Sequence, residues 1–388
     1  MRIYLDYNAT SPPDPSVTAE VARLMRDVPG NPSSIHAFGQ RARAAVDEAR
    51  SRVAQLIGAE TGDVVFTSGG TEADNLAIRG AAQALEPTGR RHLITSGIEH
   101  EAVLTTCRAL TRRGWRLTEL RATADGLVLP DALRAALADD TALVSIMLAN
   151  NEVGTIQPIA ELAAVARAAG ALFHTDAVQA VGRIPVSTSA LGVDLLSLSG
   201  HKFAGPKGTG ALWVRRGVRL VSTETGGRQE RSRRAGTENV PALGGLGVAA
   251  ARARDAIEAA ATRLARLRDH LEAGVLATIP DTVVNGAAAP RVPNTTSISF
   301  DGVEAESLLI ALDLEGIAVS TGSACSSGTL EPSHVLRAMG HADSRARHSI
   351  RFSLGSSTTD AEIDTVLSIL PALVGKLRRL GQATAALR

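Results

Sequence analysis

The chain has 388 residues, 44% of them hydrophobic and 21% charged, the balance of a globular protein with a sizeable buried core. Its 41 basic and 40 acidic residues leave a net charge of +1, so no strong field favours nucleic acid or anionic lipid. Two cysteines without C-x-x-C spacing, Cys107 and Cys325, argue against a disulfide framework or a zinc site and fit a reducing compartment. The start, MRIYLDYNATSPP, has no basic stretch leading into an apolar one, and no apolar run reaches membrane-spanning length, so the cytoplasm is expected.

Residues 1–15 are short, polar and Pro-rich, ahead of a helical pattern over 17–25. Gly30-Asn31-Pro32-Ser33-Ser34 is a loop by its breakers, and the serine pair is placed to cap a helix over 37–57. A strand–helix rhythm follows. Strands are predicted at 63–67, 92–95, 116–120, 143–148, 172–175, 195–198 and 211–214, with helices starting at Thr71 and covering 158–169. This alternation predicts an α/β fold whose large domain holds a mostly parallel seven-stranded sheet covered by helices. An Ala- and Arg-rich helical stretch from Pro241 to about Leu276 leads to a smaller α+β C-terminal domain, with strands at 297–300, 317–320 and 349–353. The expected division gives residues 16–258 to the large domain, and 1–15 with 259–388 to the small one.

The stretch DLLSLSGHKFAGPKGTGALW, 194–213, ends an apolar run in Ser199-Gly200-His201-Lys202. A lysine at a strand's end lies where α/β proteins place ligands, and only an amine, not a guanidinium, can deprotonate and attack a carbonyl. The chain holds just three lysines, Lys202, Lys207 and Lys376. Thr67-Ser68-Gly69-Gly70-Thr71 joins a strand to a helix and makes a phosphate seat without Walker A or G-x-G-x-x-G spacing. Asp176 follows a strand, with Gln179 three residues on. An acid there commonly caps the next helix; the functional reading sets it against a cationic ring nitrogen. His100 and Asn150-Asn151-Glu152 follow other strands in the same relation, so these turns can converge on one crevice. Cys325 sits in the polar, Gly-flanked loop around 320–330 and suits exposure, whereas Cys107 in a helical stretch suits core packing. Arg351 within an apolar strand calls for a fixed anion, such as a carboxylate gripped bidentately.

Taken together, the stretches YLDYNAT, NPSSIHAFG, FTSGGTEADNLA, EHEAVL, NNEVGT, FHTDAVQAVG, SGHKFAGPKGTGAL, RRAGTEN, GSACSSGTLEPSHVLRAMG and SIRFSLG resemble the cysteine desulfurases of the NifS/IscS type. These form part of the class V branch of the fold type I pyridoxal 5'-phosphate enzymes, and the stretches run in the family's order from residue 4 to residue 355. The resemblance implies that Lys202 carries pyridoxal phosphate, that Asp176 pairs with its ring nitrogen, and that Gln179 reaches its phenolic oxygen. It implies His100 stacked on the ring, Asn151 beside cofactor and substrate, and Gly70, Thr71, Ser199 and His201 around the phosphate. Arg351 would hold the carboxylate of L-cysteine. Cys325 would be the nucleophile that takes the sulfur as a persulfide, with His100 a candidate base for its thiol. A homodimer is implied, with Thr237 reaching the neighbouring subunit's phosphate. The product alanine would leave, and the sulfur would pass to an acceptor protein such as an iron–sulfur scaffold. Thr321, Gly70 and Arg228 depart from the family's common residues, which bears on acceptor and turnover more than on reaction type. Selenocysteine lyase and other class V enzymes stay open beside this reading, although a transaminase would need no Cys325.

Overall fold

In the computed structural model, residues 2–322 and 332–386 are described. The strands in chain order are β1 (Ile3–Tyr4), β2 (Val64–Thr67), β3 (His92–Ser96), β4 (Arg116–Leu120), β5 (Thr141–Ser145), β6 (Leu172–Asp176), β7 (Leu195–Ser199), β8 (Gly210–Val214), β9 (Thr282–Val284), β10 (Thr295–Phe300), β11 (Ile317–Ala318) and β12 (Ser349–Ser353). Seven of them form one sheet in the order β2-β8-β7-β6-β5-β3-β4. The pairings β3–β4, β3–β5, β5–β6 and β6–β7 are parallel, while β8 runs against both of its neighbours. The carboxyl ends of β2, β3, β5, β6 and β7 therefore share one edge.

Period-2 alternation splits the sheet's side chains between two apolar cores. Leu195, Leu212 and Val214 join the core under the helix Gly70–Leu85, whereas Leu196, Leu198, Ala211 and Trp213 join the core on the opposite face. Both faces are covered, as a parallel sheet requires. The strand expected at 143–148 is laddered only over Thr141–Ser145, yet Leu148 N–H still reaches Asp176 O at 2.8 Å. Gly210 opens β8 against the turn after β2. A Cβ on it would come within 2.6–2.8 Å of the Gly69 backbone, so only glycine lets that turn cross there.

The helix Val240–Thr278 serves two cores along its length. Leu243, Leu246 and Ala250 pack on the large sheet, and Leu264, Leu267, Leu271 and Val275 pack with the antiparallel sheet β12-β10-β9 and the helix Asp360–Ala386. β1 pairs in parallel with β11, a ladder too short to be visible in the sequence. The helix Ala37–Leu56 is capped by His36, whose Nδ1 accepts Gly39 N–H at 3.3 Å, rather than by the Ser33–Ser34 pair. Among the described residues no helix is long and apolar enough to cross a membrane.

The turn preceding the long helix is strained. Glu230, Arg231 and Ser232 have φ of 44°, 56° and 63°, which costs about 1 kcal/mol or more at each non-glycine position. A buried ion pair holds it in place: Glu230 accepts both Arg50 guanidinium nitrogens at 2.5 and 2.7 Å and Phe66 N–H at 2.9 Å. Arg50 in turn lies 4.5 Å over the Phe66 ring. Truncating one partner leaves the other charge buried and unpaired. Glu230→Ala is therefore expected to cost about 3–5 kcal/mol of unfolding free energy in urea at neutral pH, and a loss below about 1 kcal/mol would contradict this account.

Candidate active site

The turn after β2 leads into the 16-residue helix Gly70–Leu85, whose N-cap, Gly69, brings no side-chain cap. Its first N–H groups are thus available to an anion, reinforced by the helix dipole. A cavity of about 390 Å³ opens there against Ser68, Thr71, His201 and Lys207. A second, of about 320 Å³, shares Gly70, Thr71, Ser199 and His201 with the first and continues to His100, Asn151, Asp176, Gln179 and Lys202. Residues from five separate strand ends thus meet at one crevice.

Each side chain is held by its local chain. Asp176, the last residue of β6, is 5% exposed and accepts Val178 N–H at 2.8 Å. His100 caps the helix Glu101–Thr111, its Nδ1 accepting Ala102 N–H at 3.1 Å, and this aims the ring along the crevice. Asn151 follows Asn150, whose Oδ1 takes the N–H groups of Glu152 and Val153 at 2.8 and 3.0 Å. Lys202 lies on the short 3-10 turn after β7, and its Nζ donates to Asn8 O at 2.6 Å and Ala9 O at 3.0 Å. Gln179 donates from Nε2 to Asn8 O at 3.1 Å, and its Oε1 accepts from Arg183.

Arg351 has its fixed anion within the chain: one guanidinium nitrogen is 2.7 Å from Asp6 Oδ1, and another donates to Asn151 O at 3.0 Å. Its Nε is buried and has no hydrogen-bond partner among the described residues. Thr237 is exposed ahead of the long helix and lines neither cavity. Cys325 lies outside the described residues. Cys107 is buried, and desolvation pushes its thiol well above the usual range.

Burial sets the charges here. It raises Asp176, with the Val178 N–H, His100 and Lys202 pulling the other way, and it also raises Asp74, which lines the same cavity. His174, between Ser145 Oγ at 2.8 Å and Ser197 Oγ at 2.9 Å, is pushed down to about 3 by desolvation and is neutral. His201 is pushed down to about 4, by burial first and then by Lys202 and Lys207. The crevice thus offers buried acids at one end and anion-seeking N–H groups at the other. Ser199 Oγ and Asn151 Oδ1 line it, buried and, among the described residues, without hydrogen-bond partners. Leaving such atoms unmade is costly, so they mark where a polar group of a ligand belongs.

Comparison with known proteins decides the family. The model of the aminotransferase class-V family matches residues 3–366. A cysteine desulfurase of Nostoc sp. is 51% identical over 378 residues, covering 97% of this chain and 94% of that protein. The cysteine desulfurase IscS of Dictyoglomus turgidum is 48% identical over 378 residues, covering 97% and 96%. A solved NifS-like protein superimposes with a TM-score of 0.91 at 36% identity, over 97% of this chain and all of that one.

The chain belongs to the cysteine desulfurases of the class V aminotransferase family. A cysteine desulfurase uses pyridoxal phosphate, and the crevice fits it: an anion seat, a buried acid, a lysine and two unpartnered polar atoms lie on one surface. Several residues of this cysteine desulfurase site gave no local sign in the sequence. Asn8 and Asp6 lie in the N-terminal stretch, and Arg183 and Asp74 sit on turns and helices where a polar residue is ordinary. Asn8 and Asp6 take their roles from partners far along the chain, Gln179 and Arg351.

Glu99 makes a pH test of this buried polar layer. Its Oε1 accepts the Ser96 hydroxyl and Met147 N–H, and burial raises its carboxyl to about 8. Unfolded, it ionises near 4.5; folded, it keeps its proton to about 8, so its contribution to stability falls as pH rises through that window. Glu99→Gln should therefore gain unfolding temperature relative to the parent steadily from pH 5 to pH 8, and a constant difference would contradict the assignment.

Proposed function

We propose that this enzyme removes sulfur from L-cysteine, giving L-alanine and a persulfide on Cys325 that passes to an acceptor protein such as an iron–sulfur scaffold. The observation that carries the reading is the convergence of Lys202 and the buried Asp176 on one cavity that opens onto a bare helix N-terminus. Pyridoxal phosphate, when bound, supplies an electron sink for the pair left at an amino acid's α-carbon.

The chain's own residues do the rest. Gly70, Thr71, Ser199 and His201 hold the phosphate, His201 as a neutral imidazole at pH 7. Asp176 keeps a proton on the ring nitrogen, Gln179 reaches the phenolic oxygen and His100 stacks on the ring. Lys202 carries the cofactor, and its Nζ then takes the α-proton of the substrate and returns it. Arg351 turns from Asp6 to the substrate carboxylate, while Asn151 lines the pocket beside it. The Cys325 thiolate attacks the substrate sulfur: an S–S bond forms, the Cβ–S bond breaks, and its electron pair stays on the carbon side until a proton completes alanine. His100 is the base assigned to that thiol.

The division into a large domain (16–258) and a small one (1–15 with 259–388) is supported by a separate apolar core that joins Ile3 and Leu5 to residues between 264 and 374. The exposure of Thr237 supports a homodimer in which it completes the partner's phosphate site. The cytoplasm suits a free catalytic thiol.

With pyridoxal phosphate bound, adding L-cysteine and a reductant should release alanine and sulfide in equal amounts. Cys325→Ser should keep the cofactor's visible absorption and lose sulfide release by about 1,000-fold or more. Sulfide release at the parent rate would remove Cys325 from the reaction.

A further inference from the structure

The two flanks of segment 323–331 and the turn after β5 meet at one buried carboxylate. Glu152 is 3% exposed, and its Oε2 accepts the hydroxyl of Ser333, on the C-terminal flank. On the N-terminal flank, Gly322 has φ +84° and sits so close that a Cβ on it would lie 2.6 Å from Glu152 Oε2. Gly322 N–H donates to Ser320 Oγ at 3.2 Å, and Ser320 is bridged to Arg351 by backbone hydrogen bonds of 3.2 and 2.7 Å.

The same turn also holds Arg351 from the other side. Arg351 donates to Asn151 O at 3.0 Å, and Asn150 Oδ1 fixes the backbone of Glu152. Three consecutive residues, 150–152, therefore grip the arginine and both flanks of the segment whose sequence includes Cys325. A carboxylate suits the position. It accepts in several directions at once; burial raises its carboxyl, with His334, the Ser333 hydroxyl, Arg351 and His100 pulling the other way.

We propose that Glu152 is a positioning residue, which through Ser333 and Gly322 sets the register between Arg351 and the segment bearing Cys325. This rests on the reading of Cys325 as the nucleophile. The groups that Glu152 contacts directly, the Ser333 hydroxyl and Gly322, belong to the flanks, so breaking the Ser333 contact is expected to misplace the sulfur-accepting step more than the chemistry at the α-carbon. Misplacement by about 1 Å costs on the order of 100-fold in a step that depends on alignment.

Ser333 also caps the helix His334–Ala338 by accepting Leu336 N–H at 3.2 Å, and the test must separate the two roles. Ser333→Ala removes both the cap and the contact. Ser333→Asp keeps a good cap but sets a second acid against Glu152. Two rates are read on the pyridoxal-phosphate-loaded protein: exchange of the cysteine α-proton with solvent deuterium, which needs no Cys325, and sulfide release. Both variants are expected to exchange within about 3-fold of the parent and to release sulfide at least about 10-fold more slowly. Glu152→Gln, which keeps a carbonyl acceptor for Ser333, should lose less than either.

Iodoacetamide labelling gives a readout free of turnover, because Cys107 is buried and Cys325 is the chain's other cysteine. Its rate at Cys325 should change in Ser333→Asp. Full sulfide release by Ser333→Asp, unchanged labelling, or exchange falling in step with sulfide would each overturn the proposal. Failure of the underlying reading looks different: the parent would exchange the α-proton, and Cys325→Ser would still release sulfide.

Discussion

Asn8, buried just beyond β1, hydrogen-bonds both sheets at once. Its carbonyl accepts Lys202 Nζ at 2.6 Å and Gln179 Nε2 at 3.1 Å, while its side chain donates to Asn151 O at 3.0 Å and Thr295 Oγ1 at 2.9 Å. Its Oδ1 accepts from Asn294 at 3.1 Å, and its own N–H donates to Ser353 Oγ at 2.9 Å. One residue thereby connects three strand-end turns of the large sheet with β10 and β12 of the small one. Buried polar groups tolerate no loose partners, so this network fixes the distance between the lysine and Arg351 more sharply than apolar packing would.

Charge balance follows from that geometry. Asp74, Asp176 and Glu99 are all raised by burial, and His174 behind them is neutral. Asp74 and Asp176 line the cavity and Glu99 is buried outside its lining, so this side of the crevice is rich in acids and suits a cationic group. The opposite wall is the reverse: a bare helix N-terminus, a neutral His201 and Lys207, which together suit an anion. The two ends of the crevice thus favour opposite charges.

Much of this was legible in the sequence, and for a physical reason. The strands of the large sheet are short apolar runs bounded by turn residues, and Lys202, Asp176, Ser199 and Thr71 stand at their ends, where spacing alone places them. The long helix is continuous in Ala, Arg and Leu and is observed within two residues of its expected span at either end. What stayed hidden depends on contacts across hundreds of residues. β1 is two residues long and has meaning only beside β11; Asp6 as the partner of Arg351 spans 345 positions; and Glu152 reads as an ordinary turn acid until Gly322 and Ser333 are brought to it. The His36 cap was missed because an imidazole is a rarer cap than the serines beside it.

The central claim is that Lys202 Nζ is the amine that holds the cofactor in this crevice. Borohydride reduction of the pyridoxal-phosphate-loaded protein, followed by mass mapping of its peptides, tests it directly, because the chain contains only three lysines. The account predicts a phosphopyridoxyl group on Lys202 in near-stoichiometric yield. Label on Lys207 or Lys376, or none on any lysine, would contradict it.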